Sequence, residues 1–185
     1  MDYATLASEA TIETTRENIT PRNIIPHVVA DRVAALSLIK ELIPPKASIQ
    51  TGASRTLEEI GFIDYLKAEQ HGWDNVHGKV ATEKDPAKQA ELRKQATLTD
   101  FYLGSVHALT EEGELYIASN TGSQMPNLVY NSPNVIFVVG AQKIVPDRSH
   151  AFERIEKHVI PLEDERMMQA YGMHTQWSKT VIFHK

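Results

Sequence analysis

Two short runs hold the residue types that could do chemistry. Thr51-Gly52-Ala53-Ser54-Arg55-Thr56 and Asn120-Thr121-Gly122-Ser123-Gln124 each combine a glycine, hydroxyls and polar groups. Each is expected to follow a strand and precede a helix. A loop of that kind leaves backbone N–H groups unpaired at a helix N-terminus, where an anionic group can be held. In the first run Gly52 lets backbone approach a ligand, Ser54 and Thr56 offer hydroxyls, and Arg55 offers a bidentate contact. Lys143 follows an expected strand in a small-residue turn and could neutralise an anionic group. The plainer readings are a strand-to-helix turn with a capping threonine, a polar loop and a surface lysine. If both loops leave strands at the carboxyl edge of one sheet, they should line a shared pocket, with Lys143 at its rim.

Acid–base chemistry would draw on His107 or Glu59. His107 lies among small and apolar residues of an expected strand and could titrate near neutral pH. A hydrogen-bonded core histidine fits the same pattern. Glu58 and Glu59 fall in a first helical turn, where they compete with an anion for the positive dipole end unless they point outward. His71 and His77 do not match a zinc spacing and lack a third ligand. Glu111 and Glu112 sit in a hairpin turn and read as solvated. Trp73 and Trp177 are isolated aromatics that read as packing residues.

The elements that must position these groups alternate between strand and helix. Tyr3–Arg16 is expected as an N-terminal helix, Asn23–Val29 as a short edge strand, and Asp31–Ile43 as a helix stopped by Pro44-Pro45. Ala47–Gln50 is a short strand. Thr56–Lys67 is a helix opened by a Thr56-x-x-Glu59 capping box. His71–Val80 gives no clear signal. Asp85-Pro86 opens a helix reaching Ala96. Asp100–Thr110 and Glu114–Ser119 read as two strands joined at Glu111-Glu112-Gly113. A short helix is expected over Pro126–Tyr130. Val135–Val139 is a continuous apolar run, expected as a central strand covered on both faces. Asp147 caps a helix in which Phe152, Ile155 and Val159 share a face, and Lys179–His184 closes the chain as a strand. The pattern predicts an α/β layered fold with a mainly parallel central sheet: an N-terminal helical segment over residues 1–22, then one domain over residues 23–185.

Composition narrows the function classes. The 185 residues include 24 acidic and 19 basic side chains, a net charge of −5, which disfavours nucleic acid as a partner. There is no cysteine, so disulfides, thiol catalysis and cysteine-ligated iron–sulfur clusters are excluded. No dinucleotide glycine fingerprint follows the first strand, and no cofactor is expected. The N-terminus lacks the features of a secretory signal and no apolar run is long enough for a membrane helix, so a cytoplasmic location is expected.

Several motifs, in order from Asp31 to Lys185, resemble one family. Gly52-Ala53-Ser54-Arg55-Thr56-Leu57-Glu58-Glu59-Ile60-Gly61 resembles the G-x-S-x-T-L-x-E-I-G signature of the LUD, or lactate-utilisation, family. Gly104–Gly113 is similar to its G-S-V-H-A-[VIL]-T-E-x-G hairpin, and Asn120–Gln124 to the loop that follows. Val138–Val145 is similar to its V-V-G-x-x-K-I-V strand and turn, and Pro161–Arg166 to its P-L-x-x-x-R segment. The resemblance implies a fold similar to ribose-phosphate isomerase, glucosamine-phosphate deaminase and the CoA transferases. It implies a small anionic or nucleotide-like ligand and iron–sulfur partner proteins in lactate or organic-acid oxidation; a homo-oligomer is compatible with it. Fold alone does not fix chemistry. A stand-alone isomerase or CoA-transferase-like enzyme acting on a phosphorylated or thioester substrate remains open, as does a non-catalytic assembly or regulatory subunit.

Overall fold

The computed structural model describes residues 2–185. In chain order its regular elements are α1 (Glu9–Ile19), α2 (Arg32–Leu42), β1 (Ser48–Thr51), α3 (Arg55–Glu59), α4 (Phe62–Lys67), β2 (Asp74–Asn75), α5 (Val76–Thr82), α6 (Pro86–Gln95), β3 (Phe101–Gly104), β4 (Ala108–Thr110), β5 (Leu115–Ser119), β6 (Asn134–Phe137), β7 (Ile144–Val145), α7 (Arg148–Arg154), α8 (Ile160–Tyr171) and β8 (Lys179–Phe183). π-Helical turns lie at Asn127–Asn131 and Ile155–Val159. The fold is α/β, as the alternation of patterns implies. The strands form two four-stranded sheets, and the chain divides into two compact units, each holding one of them.

The first unit comprises Val29–Ser105 and Gln124–Val138. Its sheet is all-parallel, in the order β2-β1-β3-β6. Helix α2 starts where Asp31 accepts from the Ala34 N–H at 2.8 Å and turns Ile39 and Ile43 onto one face. These pack with Ile49 of β1, Leu103 of β3, and Leu57, Phe62, Leu66 and Trp73 into one apolar core.

Three expectations are revised in this unit. The helix expected over Thr56–Lys67 is two, α3 and α4, separated at Gly61, whose φ of 78° is left-handed. Its cap is Ser54, whose Oγ accepts from the Leu57 N–H at 3.3 Å, so the capping box at Thr56 is not the one used. The apolar run Val135–Val139 is not a doubly covered central strand. Its strand β6 is last in the sheet order and these five residues are half-buried. A continuous apolar run reports burial without reporting sheet position, and here it continues past β6 into the chain's exit from the sheet. Val138 holds that exit: its N–H donates to the Gly104 carbonyl at 2.9 Å and its carbonyl accepts from Ser105 Oγ at 2.6 Å. The unreadable stretch His71–Val80 holds β2 and α5, the latter capped by Asn75.

The second unit comprises the N-terminal residues up to Val28, Val106–Ser123 and Val139–Lys185. Met1, where the expected N-terminal segment begins, lies outside the described residues. The sheet runs β7-β4-β5-β8, with β4–β7 parallel and β4–β5 and β5–β8 antiparallel. Ala108, Tyr116, Val145, Ala151 and Ile155 form its core, with Phe152 and Trp177 packed against it. Helix α7 is capped as expected, Asp147 accepting from the His150 N–H at 3.1 Å.

The strand expected over Asp100–Thr110 is two strands in two sheets. β3 ends at Gly104, β4 begins at Ala108, and Ser105-Val106-His107 is irregular. The β4–β5 hairpin is as expected. Thr110 N–H donates to the Glu114 carbonyl at 3.0 Å, and Gly113 turns at φ 90°. A Cβ on Gly113 would lie 2.9 Å from the Asn18 carbonyl oxygen, so the glycine also lets α1 approach the turn. Helix α1 starts later than Tyr3, because Ser8 is its cap. Asn23–Val29 is not a strand. Arg22 instead anchors the chain there, donating from Nε to the Glu112 carbonyl at 2.8 Å.

Candidate functional site

The first loop is well ordered by its own contacts. Thr51 Oγ1 donates to the Gly52 carbonyl at 2.9 Å, and Ser54 Oγ is occupied in capping α3. Arg55 is exposed and pairs with Glu58 at 3.0 Å along the helix surface, an ion pair worth little in water. Thr56 is buried. Glu59 faces outward with Arg32 4.0 Å away, which leaves it as a surface acid rather than a group aimed at the loop.

Gly52 has a close neighbour. Its N–H donates to the hydroxyl of Tyr102, and a Cβ at Gly52 would lie 2.7 Å from Tyr102 Oη and 3.4 Å from Gln124 Oε1. The absent side chain therefore makes room for Tyr102, which is 2% exposed on β3. Burial raises the Tyr102 hydroxyl to about 12, partly offset by the Gly52 N–H, so it stays protonated. Gln124 is thus the residue of the Asn120–Gln124 run that meets the Thr51–Thr56 loop.

The remainder of that run belongs with the mixed sheet and is tied to itself and to the C-terminal segment. Asn120 Nδ2 donates to Thr175 Oγ1 at 3.5 Å, its Oδ1 accepts from Ser178 Oγ at 3.3 Å, and its carbonyl accepts from Lys179 Nζ at 2.9 Å. The Gly122 N–H donates to Ser119 Oγ at 3.0 Å and the Ser123 N–H to Thr121 Oγ1 at 3.3 Å. The expected helix after the run is the π-helical turn at Asn127–Asn131, which has no side-chain cap.

Lys143 and His107 fall in one charged neighbourhood of the second unit. Lys143 Nζ donates to the Val106 carbonyl at 3.1 Å. His107 is not on a strand, but its backbone N–H donates to the Tyr116 carbonyl at 2.8 Å and its Nδ1 accepts from the Ala118 N–H at 2.9 Å. That bond puts the proton of the neutral ring on Nε2. Desolvation above all, with the charge of Lys143 and a smaller push from Arg154 and against the opposing Glu163 carboxylate, brings the His107 pKa down to about 4. His107 is therefore neutral across the physiological range, a donor through Nε2 rather than a poised base. Glu163 also holds Arg166, accepting from its Nε at 2.7 Å and Nη2 at 2.6 Å.

Arg154 was not singled out in the sequence. It is 3% exposed at the end of α7. The available signal was its position: Ala151, Arg154 and Ile155 fall on one helical stripe, and the two apolar members are wholly buried. Glu114 is a second buried charge. It accepts from Tyr116 Oη at 2.6 Å, His184 Nδ1 at 2.6 Å and Arg148 Nη2 at 3.2 Å. Burial pushes its carboxyl up, but the hydrogen bonds from Tyr116 and His184 and the Arg148 charge prevail, and the pKa is lowered.

Taken together, the chain is an α/β protein in which a neutral histidine lies in the combined field of Lys143, Arg154 and the Glu163 carboxylate. Among the described residues no group of three His, Asp or Glu could hold a metal ion, and no helix is long and apolar enough to cross a membrane. Residues 12–180 match the LUD domain, and the chain belongs to that family. No curated protein and no solved structure gives a match.

Proposed function

We propose that this chain is the anion-binding, non-redox subunit of a system that oxidises lactate or a related organic acid, with electron carriers in iron–sulfur partner proteins. The observation that carries the reading is the setting of His107. With Nδ1 taken by a backbone N–H and with the charges of Lys143 and Arg154 set against the one carboxylate of Glu163, it is a neutral donor in a net cationic setting. That setting suits holding an anion better than moving a proton. Family membership supports the organic-acid context, and a sequence without cysteine fits a subunit that leaves cluster chemistry to a partner. Thr51, Gly52, Ser54, Arg55, Thr56 and Gln124 in one unit, and Asn120, Thr121, Gly122, Ser123 and Lys143 in the other, are the proposed ligand-facing positions.

The test is reconstitution. Cluster-bearing partners purified with and without this chain should differ in lactate-dependent reduction of an artificial electron acceptor, and the chain alone should show none. Full activity without the chain would remove it from the reaction. Turnover of a phosphosugar or a CoA ester by the chain alone would favour the isomerase or transferase alternative.

A further inference from the structure

Arg154 carries a charge that the chain does not balance. Its Nε and Nη1 are buried and have no hydrogen-bond acceptor among the described residues, and it makes no ion pair. A guanidinium cannot escape this by losing its proton, because its pKa stays far above neutrality. A buried, unpaired charge costs several kcal/mol and is seldom retained without a partner.

The residue lying on Arg154 has the same deficit. The Tyr3 ring sits with its centroid 5.6 Å from the guanidinium carbon, and the Tyr3 hydroxyl is also buried without a partner. A cation–π contact uses the ring face and leaves both the N–H groups and the O–H unsatisfied. Tyr3 is held there by a short N-terminal turn. Asp2 accepts from the Ala4 N–H at 2.9 Å and from Thr5 Oγ1 at 2.7 Å, and the Ala7 N–H donates to the Ala141 carbonyl at 3.4 Å. His158 also packs against the ring, centroids 5.2 Å apart. Arg154 directly precedes the π-helical turn Ile155–Val159, a distortion that recurs at functional positions.

We propose that Arg154 and Tyr3 form a buried seat for one small oxyanion, a carboxylate or a phosphoryl group. The orphaned guanidinium nitrogens can only donate and the Tyr3 hydroxyl can donate beside them, so a partner that satisfies all three is rich in acceptors and carries negative charge. His107, which feels the charge of Arg154, also feels Lys143 and the Glu163 carboxylate, and being neutral it offers a hydrogen-bond donor rather than charge. The inference rests on the ligand-binding half of the proposed function and adds a buried position to the loop residues named there. Reconstituted lactate oxidation can fail while oxyanion binding succeeds, and the reverse, so the two are judged separately.

The experiment is a melting-temperature titration of the full chain with sodium lactate and with sodium phosphate, each against sodium chloride at matched ionic strength. At least one oxyanion should raise the melting temperature in proportion to the logarithm of its concentration. A response to lactate identifies the source as a carboxylate, and a response to phosphate as a phosphoryl group. Tyr3→Phe keeps the ring and removes the hydroxyl. It should leave the melting temperature in chloride unchanged and weaken the oxyanion response roughly tenfold. Arg154→Met removes the charge at similar volume. It should abolish the response while keeping or raising the melting temperature in chloride. No oxyanion-specific rise in the unaltered protein, or a rise that Tyr3→Phe leaves intact, would overturn the proposal, and the Tyr3 result decides even if Arg154→Met does not fold.

Discussion

Gly52 separates two explanations of the Thr51–Thr56 loop, and its neighbours set the size of the effect. In Gly52→Ala the new Cβ would sit 2.7 Å from Tyr102 Oη, well inside contact distance. Its φ is not left-handed, so backbone strain does not contribute and the whole cost is steric. Tyr102 cannot swing aside easily, because it is 2% exposed on a strand paired on both sides. Overpacking of that kind costs about 1–3 kcal/mol, and displacing the hydroxyl from the Gly52 N–H adds about 1 kcal/mol. Gly52→Ala should therefore destabilise by about 2–4 kcal/mol. Tyr102→Phe alone, which leaves the Gly52 N–H unpaired, should cost about 1 kcal/mol. In the double variant the clash has no partner, since the next Tyr102 atom lies 3.9 Å from the new Cβ. The double variant should then be little worse than Tyr102→Phe, with a coupling of about 2–4 kcal/mol. Urea unfolding at 25 °C reads this as shifts of the midpoint at constant slope. Additivity of the two substitutions within ~0.5 kcal/mol would refute the reasoning. A stable Gly52→Ala protein that has lost ligand affinity would show that the glycine serves the ligand and not Tyr102.

His107 makes stability depend on pH. Its folded pKa of about 4 lies below the ordinary 6.5, so between those values the unfolded chain takes up a proton that the folded chain refuses. The contribution is complete above pH 6.5 and is lost as pH falls towards 4, about 2–3 kcal/mol after allowance for the ring's partial exposure. His107→Asn, which retains an acceptor for the Ala118 N–H, should flatten the stability difference between pH 7.5 and 4.5, and an unchanged pH slope would argue against it. Glu114→Gln keeps the shape of the side chain but weakens the hydrogen bonds from Tyr116, His184 and Arg148. The loss should be about 1–2 kcal/mol, limited by the exposure of Arg148, and a melting temperature equal to the parent's would mean the carboxylate charge is not what holds those residues. Gly113→Ala combines a left-handed φ of 90° with a Cβ 2.9 Å from the Asn18 carbonyl. It should cost at least ~2 kcal/mol and speed hydrogen exchange in α1, and normal exchange there would show that α1 does not depend on the turn.

Local chemistry made much of the fold legible. Asp85 and Asp147 are caps in the sequence pattern and caps in the structure, because an N-cap acts over three residues and needs no tertiary context. The Glu111-Glu112-Gly113 hairpin is equally local. What failed was long-range. Asp100–Thr110 reads as one strand because its residues suit a strand; that it parts at Ser105 and joins two sheets depends on partners far along the chain. Val135–Val139 misled for the same reason, since hydropathy does not encode order within a sheet. At the site, the loops and Lys143 were visible by composition. Arg154 was not, because a charged residue in a helix is normally solvated, and only the burial of Ala151 and Ile155 beside it reveals otherwise.

The division of the chain into interleaved units bears on its synthesis. One unit takes three separate segments and the other two, so neither can be released by a single cut. The all-parallel sheet has its last strand once Phe137 has been made, whereas β5 waits for β8, which ends at Phe183. At ribosomal rates that interval is on the order of a few seconds. Throughout it β5, whose Leu115, Tyr116 and Ile117 are buried in the finished protein, has its β8-facing edge open. The nascent chain is therefore most exposed to misassociation late in translation, and a message truncated shortly before Lys179 should yield a product that holds one sheet and aggregates through the other.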